Sequence, residues 1–84
     1  MKIQFTSRAK KDYTALPSHL QRAVDKQLDL LREKPENLRH PSIRAKKYDE
    51  ATDLWQGRVN REYRFYFEIV GETCWIIRII PHPK

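Results

Sequence analysis

The chain has 84 residues, of which 39% are hydrophobic and 33% charged, and its formal net charge is +6 at pH 7. This length predicts one small domain, residues 1–84, with a modest core. The balance of apolar and charged residues argues against wholesale disorder. A basic surface favours an anionic partner, such as a nucleic acid, an acidic protein segment or a membrane face.

Cysteine content and hydropathy predict a cytoplasmic protein without a membrane segment. The single cysteine, Cys74, cannot form a disulfide framework or a cysteine metal cluster within one chain. The first residues lack the apolar core of a signal peptide. The longest apolar stretch, "CWIIRII", is interrupted by Arg78 and is too short to span a bilayer.

Neither a metal nor a cofactor is expected from the residues that usually bind them. His19, His40 and His82 are scattered and lack the spacing of metal ligands. The chain contains only two glycines and therefore no glycine-rich phosphate loop.

The first part of the chain predicts a short strand followed by a helical hairpin. Residues 2–5 alternate polar and apolar, as in a strand. Residues 6–16 place apolar side chains on one helical face behind a Thr6/Ser7 cap. Residues 18–35 carry a longer apolar stripe that ends at a proline, and Ser18 with Gln21 fits a capping box.

The remainder predicts a basic connection and three strands. Residues 35–53 form an irregular loop, which three side chains could attach to the core: Leu38, Ile43 and Tyr48. Residues 54–80 contain three strand-like segments, with turns at Asn60-Arg61 and Gly71-Glu72. The order β-α-α-β-β-β predicts an α+β fold in which both helices cover one face of an antiparallel sheet.

The register of the last hairpin has two alternatives. A two-residue turn pairs Val70 with Thr73 and puts Arg78 opposite Phe65 on the core side, where an unpaired arginine is costly. A three-residue connection or a bulge pairs Val70 with Cys74 instead. We expect the second register, which turns three side chains into the core: Trp75, Ile77 and Ile79.

The preferred register gathers polar groups on the exposed face of the sheet: Arg58, Arg64, Tyr66, Arg78 and His82. Arginines bind phosphate oxygens bidentately and stabilise charge that develops on phosphate. Histidine can transfer a proton near neutral pH, and tyrosine can stack on a base. Such a face could cleave RNA by attack of the 2′-hydroxyl on the adjacent phosphate. Many binding modules also carry arginines, so these residues alone leave cleavage and binding open.

The segments "FTSRAKKDYTALP", "LLREKP" and "LWQGRVNREYRFYFEIVGETCWIIRIIPHPK" resemble the RelE/ParE superfamily of bacterial toxins over nearly the whole chain. The spacing from Trp55 through Arg58 and Arg64 to His82 is most similar to the YoeB branch of RelE-type toxins. That branch contains ribosome-dependent mRNA endonucleases. The resemblance implies that Arg58 and Arg64 contact the scissile phosphate and that His82 is catalytic.

We expect further side chains to bind RNA: Arg78, Lys46, Lys47, Arg61 and Tyr66. The sequence departs from the YoeB branch at Ala45, which stands where that branch has a glutamate, and Glu50 is only a loose substitute. The general base is therefore not identified.

The resemblance implies a cognate antitoxin, the ribosome and mRNA as partners, and it admits a homodimer or a toxin–antitoxin hetero-oligomer. Two other functions stay open. A ParE-like toxin would inhibit DNA gyrase by binding, and a non-toxic relative would bind only its antitoxin. The same fold serves all three functions.

Overall fold

The chain folds as a strand, two helices and four further strands, and the structure, a computed structural model, describes residues 1–82. The elements are β1 (Lys2–Phe5), α1 (Ser7–Ala15), α2 (Ser18–Glu33), a 3₁₀ helix (Pro35–Arg39), β2 (Lys46–Asp49), β3 (Leu54–Arg58), β4 (Tyr63–Val70) and β5 (Thr73–Pro81). Within residues 1–82 the five strands form one sheet in the order β1-β5-β4-β3-β2. The predicted α+β class is confirmed. The sheet is mixed rather than wholly antiparallel, because β1 runs parallel to β5.

The two helices begin differently from one another. Thr6 caps α1 as predicted, since its hydroxyl oxygen accepts a hydrogen bond from the backbone N–H of Ala9 at 3.2 Å. The predicted capping box of α2 is wrong, because no side chain caps its first turn. Gln21 instead donates from its amide nitrogen to the carbonyl of Tyr13 at 2.9 Å. This bond ties the start of α2 to the last turn of α1.

The connection between α2 and β3 has more regular structure than predicted. It contains the 3₁₀ helix and the edge strand β2. Ile43 is fully buried and Leu38 packs against the core, as expected. Tyr48 does not reach the core between helices and sheet as expected: 54% of this residue is exposed, and its ring packs instead against Tyr66. All four residues of β2 are exposed, so the segment lacks the apolar alternation from which a strand is predicted.

The core lies between the helices and one face of the sheet. From the sheet it contains Phe65 and Phe67, whose ring centroids are 5.3 Å apart, and Trp55 stacks on Phe67 at 6.2 Å. The helices contribute the predicted apolar stripe: Leu20, Val24, Leu28 and Leu31. We call the sheet face that turns away from the helices the open face. Arg58 and Arg64 lie on it, because neighbouring residues of a strand point to opposite sides.

The hairpin of β4 and β5 combines the two registers that the sequence allows. At the turn Val70 pairs with Thr73, so the expected pairing with Cys74 is wrong. A bulge then shifts the register opposite Tyr66 and Phe67, with Ile77 as the extra residue in β5. Beyond the bulge Arg78 pairs with Tyr66 on the open face, as the preferred register requires.

Three side chains before the bulge take positions opposite to those expected. Cys74 and Ile76 are fully buried against the helices. Trp75 therefore lies on the open face, where it pairs with Glu68 and is 38% exposed. The expected core position of Trp75 is wrong, because the two-residue turn moves every side chain of β5 before the bulge to the other face.

We predict that Cys74 is chemically inert in the native protein, because burial raises the pKa of its thiol to about 12. At pH 8 only about one thiol in ten thousand is then ionised, and the thiolate is the reactive form. Iodoacetamide should label the native protein far more slowly than the protein unfolded in guanidinium chloride, as followed by mass spectrometry. Equal labelling rates in the two states would contradict the buried placement of this side chain.

We predict that Gly57→Ala destabilises the fold by about 1–3 kcal/mol through overpacking. A Cβ atom at Gly57 would lie 2.4 Å from Cζ of Phe65, whose side chain is fully buried. Urea denaturation measures the free energy of unfolding. The matched test repeats the substitution in a Phe65→Leu background, where the smaller side chain should relieve most of the added cost. The same cost in both backgrounds would show that the contact between the two residues is not the cause.

Candidate functional site

A cleft of about 260 Å³ lies at one end of the open face, where β2, β3 and β4 come together with the end of β5. Its lining is basic and polar and consists of Arg44, Lys46, Gln56, Arg58, Arg64 and His82. The three residues predicted as catalytic, Arg58, Arg64 and His82, therefore line one cavity. We call this cavity the basic cleft.

Arg58 is held by its backbone at the end of β3. Its N–H donates to the carbonyl of Ile43 at 2.7 Å, and its carbonyl accepts a hydrogen bond from the amide nitrogen of Gln27 at 2.8 Å. Gln27 is buried on α2 and also donates to the carbonyl of Ser42 at 2.8 Å. The core thus fixes the backbone of Arg58 from two sides and leaves its guanidinium at the basic cleft.

Arg64 lies directly across from Arg58 in the pairing of β3 with β4. Its Nη1 atom donates to the carbonyls of Asn60 at 2.6 Å and Tyr63 at 3.0 Å, so the side chain rests against the turn that joins the two strands. Partial burial lowers the pKa of Arg64, and the positive charge of Arg58 lowers it further; Tyr66 opposes this shift, and the charge of Arg44 adds the smallest lowering effect. Crowded guanidinium groups of this kind favour a bound anion, which would relieve their repulsion.

His82 reaches the basic cleft because β5 extends as far as the turn between β3 and β4. Its backbone N–H donates to the carbonyl of Glu62 at 2.6 Å. The same turn is fixed by Asn60, whose side-chain oxygen accepts from the N–H groups of Glu62 and Tyr63, each at 2.9 Å. One turn therefore positions both the imidazole of His82 and the guanidinium of Arg64.

Of the two lysines predicted to bind RNA, only Lys46 lines the basic cleft. Lys47 pairs with Trp55 and so lies on the opposite side of β2. There its ammonium sits 5.6 Å from the ring centroid of Trp55 and forms a salt bridge with Asp53 at 2.6 Å. Lys47 therefore lies away from the basic cleft, because adjacent strand residues point to opposite faces.

The other three residues predicted to bind RNA lie outside the lining of the basic cleft. Arg78 is on the open face by register, but its guanidinium is bound by Asp12 of α1 at 2.7 Å. Tyr66 is only 5% exposed, and its hydroxyl accepts a hydrogen bond from Gln56 at 3.0 Å. Arg61 is exposed in the turn, and its carbonyl, at 3.3 Å, accepts from Arg64. Direct stacking of a base on Tyr66 is blocked by this burial.

Sequence reasoning missed Arg44 and Gln56 as cleft residues. Gln56 could have been placed there, since it is two positions from Arg58 in β3 and must share its face. Arg44 offered no such signal. Arg44 follows the buried residue Ile43. Its own backbone is in a left-handed conformation, with φ of 49°, and its side chain lines the cleft.

Among residues 1–82 there is no group of three or more histidine, cysteine, aspartate or glutamate side chains arranged to hold a metal ion. No helix in this part of the chain is both long enough and apolar enough to cross a membrane.

Comparison with known proteins identifies the family. The family model described as the ParE toxin of type II toxin–antitoxin systems, parDE, matches residues 3–83. The chain belongs to this family of toxins, and the predicted membership of the RelE/ParE superfamily is confirmed. A comparison with curated proteins gives no significant match.

Solved structures share the fold over almost the whole chain. A chain of the archaeal RelE–RelB complex from Pyrococcus horikoshii has a TM-score of 0.77 at 18% identity, covering 95% of this chain and 92% of that chain. The toxin–antitoxin complex RelBE2 from Mycobacterium tuberculosis gives 0.71 at 27% identity, with 96% of both chains covered. The YoeB/ParE toxin from Agrobacterium tumefaciens gives 0.59 at 20% identity, covering 99% of this chain and 100% of that chain.

We predict that the ion pair between Asp12 and Arg78 stabilises the fold in a pH-dependent manner. Burial raises the pKa of Asp12, but hydrogen bonds from Arg78 and from the backbone N–H of Ile79 outweigh this effect and hold the pKa below its ordinary value. A carboxyl group with a lowered native pKa stabilises the fold above its unfolded pKa, and this stabilisation is lost as the pH falls through the native pKa.

Asp12→Asn should therefore lower the free energy of unfolding by about 1–2 kcal/mol at pH 7, and the difference from wild type should shrink below about pH 4. Urea denaturation over this pH range measures both effects. Asp29→Asn is the control, because Asp29 pairs with Arg32 on an exposed helix surface and should change stability little. A pH-independent effect of Asp12→Asn would contradict the assignment.

Proposed function

We propose that this protein is the toxin of a type II toxin–antitoxin pair and that it cleaves mRNA on the ribosome. The observation that carries the proposal is the convergence of Arg58, Arg64 and His82 on the basic cleft. Two guanidinium groups and an imidazole supply charge stabilisation and proton transfer, the two functions that phosphodiester cleavage requires.

In the proposed reaction the 2′-hydroxyl oxygen of one nucleotide attacks the adjacent phosphorus, and the bond from phosphorus to the 5′-oxygen breaks. The products carry a 2′,3′-cyclic phosphate and a 5′-hydroxyl. Arg58 and Arg64 stabilise the additional negative charge on the phosphate in the transition state. His82 donates a proton to the leaving 5′-oxygen.

Removal of the proton from the 2′-hydroxyl needs a separate acceptor. Among the described residues that line the basic cleft there is no carboxylate. We assign this proton to water or to a group of the ribosome. Dependence on the ribosome would follow from this assignment, since the cleft would be incomplete without its substrate complex. The net charge of +6 favours association with ribosomal RNA.

A cognate antitoxin is the proposed protein partner. Two of the structural relatives described above belong to complexes of this kind: RelE with RelB and the toxin–antitoxin complex RelBE2. The guanidinium groups of the basic cleft repel one another, so an acidic antitoxin segment would bind there favourably. Such a segment would occupy the positions that the RNA phosphate needs.

Inhibition of DNA gyrase by binding is the second candidate function. It is favoured by the family match, which is to ParE toxins. A toxin that acts by binding does not need a proton donor, so His82 would be dispensable for it. A relative that only binds its antitoxin would leave growth unaffected when it is expressed alone.

We predict that the isolated toxin cuts mRNA inside translated codons and that this activity depends on the basic cleft. Primer extension in a purified translation system maps the cuts, and a supercoiling assay tests gyrase in parallel. His82→Ala should lower the cleavage rate by about 10²–10⁴-fold and Arg64→Ala by about 10²–10³-fold. Arg64→Lys separates charge from geometry, because lysine keeps the charge and loses the planar fork.

Matched controls remove the same side-chain types from the exposed surface of α2. Arg22→Ala and His19→Ala should leave cleavage unchanged, since both residues are exposed and lie outside the basic cleft. Full activity of both His82→Ala and Arg64→Ala would refute the proposed site. Inhibited supercoiling with intact mRNA would establish the gyrase function instead.

A further inference from the structure

Three large hydrophobic residues are exposed among residues 1–82: Tyr48, Val70 and Trp75. All three lie on the open face, and Tyr48 is the one attached to the basic cleft. Its ring packs edge to face on Tyr66, with centroids 5.1 Å apart and planes at 80°. The hydroxyl of Tyr66 is bonded to Gln56, which lines the cleft. Tyr48 is thus joined to the site through two side chains and is still 54% exposed.

The backbone around Tyr48 is held in place by contacts that do not involve its ring. The register of β2 shifts between Lys47 and Asp49, which leaves Tyr48 as the extra residue of a bulge. Lys47 is anchored to Asp53 on the other side of the strand, and the carboxylate of Asp49 accepts a hydrogen bond from the N–H of Ala51 at 3.0 Å. The ring is therefore presented by an ordered segment, which lowers the entropic cost of binding a flat ligand.

We propose that Tyr48 stacks on an RNA base adjacent to the phosphate held in the basic cleft. This inference rests on the proposed function and adds to it a residue that binds the base. Tyr66, on which Tyr48 rests, is two residues from Arg64 along β4, so the Cα atoms of Tyr66 and Arg64 are about 6.8 Å apart. When a phosphate is bound at Arg64, the base of a nucleotide joined to that phosphate can therefore reach the ring of Tyr48.

The surrounding charges support RNA as the occupant of this position. Lys46 and Arg44 line the cleft, precede Tyr48 in the same chain segment and can contact phosphate oxygens. Glu68 lies on the open face beyond Tyr66, opposite Trp75, and repels a phosphate backbone there. The phosphate backbone of the RNA is thus bound most favourably along the basic cleft, and a base can turn from there towards the ring of Tyr48. Stacking on an aromatic ring tolerates any base, because every base has a π-face.

The test uses ribosomes programmed with a short mRNA and measures single-turnover cleavage at increasing toxin concentration. Tyr48→Ala should lower the cleavage efficiency about tenfold, whereas Tyr48→Phe and Tyr48→Trp, which keep an aromatic ring, should retain it. Val70→Ala is the control for loss of an exposed apolar side chain on the same face. Thermal melting confirms that each variant is folded.

A second substrate distinguishes stacking from a general effect on the protein. Once the cut is mapped, the nucleotide on either side of it is replaced by an abasic one. One of these two substrates lacks the base that stacks on Tyr48. Wild type and Tyr48→Ala should cleave that substrate at the same reduced rate. An additional loss in Tyr48→Ala on both abasic substrates would overturn the inference.

The inference and the proposed function can fail separately. If wild type cleaves, Arg64→Ala does not, and Tyr48→Ala matches wild type, the stacking role is wrong and the proposed function stands. If wild type cleaves no mRNA on ribosomes, both are overturned. If Tyr48→Ala cleaves normally but escapes neutralisation by the antitoxin, the ring contacts that protein rather than RNA.

Discussion

A single extra residue in β5, Ile77, determines which side chains of the last strand face water. Before this bulge, the two-residue turn directs Cys74 and Ile76 into the core. After it, the parity is reversed, so that Arg78 pairs with Tyr66 on the open face. Without the bulge Arg78 would enter the core, where an unpaired charge costs several kcal/mol, about 3–5 by analogy with broken buried ion pairs. The same shift directs His82 to the face of Arg64.

The end of the bulged strand is stabilised by α1 rather than by another strand. Pairing of β1 with β5 stops at Ile76, so the following residues of β5 form a sheet edge. Thr6 donates from its hydroxyl to the carbonyl of Ile77 at 3.1 Å, and Asp12 accepts from the N–H of Ile79 at 3.0 Å. These bonds satisfy backbone groups that an edge would leave exposed. The first helix therefore holds in place the strand that delivers His82.

The geometry of the basic cleft depends on packing in the core, because the arginines that line the cleft repel one another. Arg58 and Arg64 are direct cross-strand neighbours, an arrangement that is unfavourable for like charges. The packing of Phe65 against Gly57 joins the two strands, and the hydrogen bonds of the Arg58 backbone with Gln27 and Ile43 hold β3 in place despite this repulsion. Core packing thus offsets the repulsion between the arginines in the free protein, and a bound anion would remove that repulsion. A preorganised electrostatic site needs this kind of support from the rest of the fold.

The parts of the site that sequence could predict are those governed by strand alternation within β3 and β4. Alternation places Arg58 and Arg64 on one face, and their proximity needs only that the two strands pair in a hairpin. The register of β5 could not be derived, because the sequence does not show where the extra residue falls: a bulge at Ile77 keeps the two-residue turn and still puts Arg78 on the open face. The position of Lys47 depended on β2, whose exposed residues give no periodic signal. The pairing of Arg78 with Asp12 joins residues 66 positions apart, a contact that no local pattern contains.

In the proposed function, toxicity and its neutralisation draw on the same property of the basic cleft. Both the RNA phosphate and an acidic antitoxin segment would relieve the repulsion around Arg64, so their binding would be mutually exclusive. The two ligands differ in what else they can contact. Only RNA presents a base to Tyr48 and a leaving oxygen to His82, whereas a protein segment can add apolar contacts with Trp75 and Val70 farther along the open face. The basic end of the open face would therefore carry out RNA cleavage, and its apolar end would add affinity for the antitoxin.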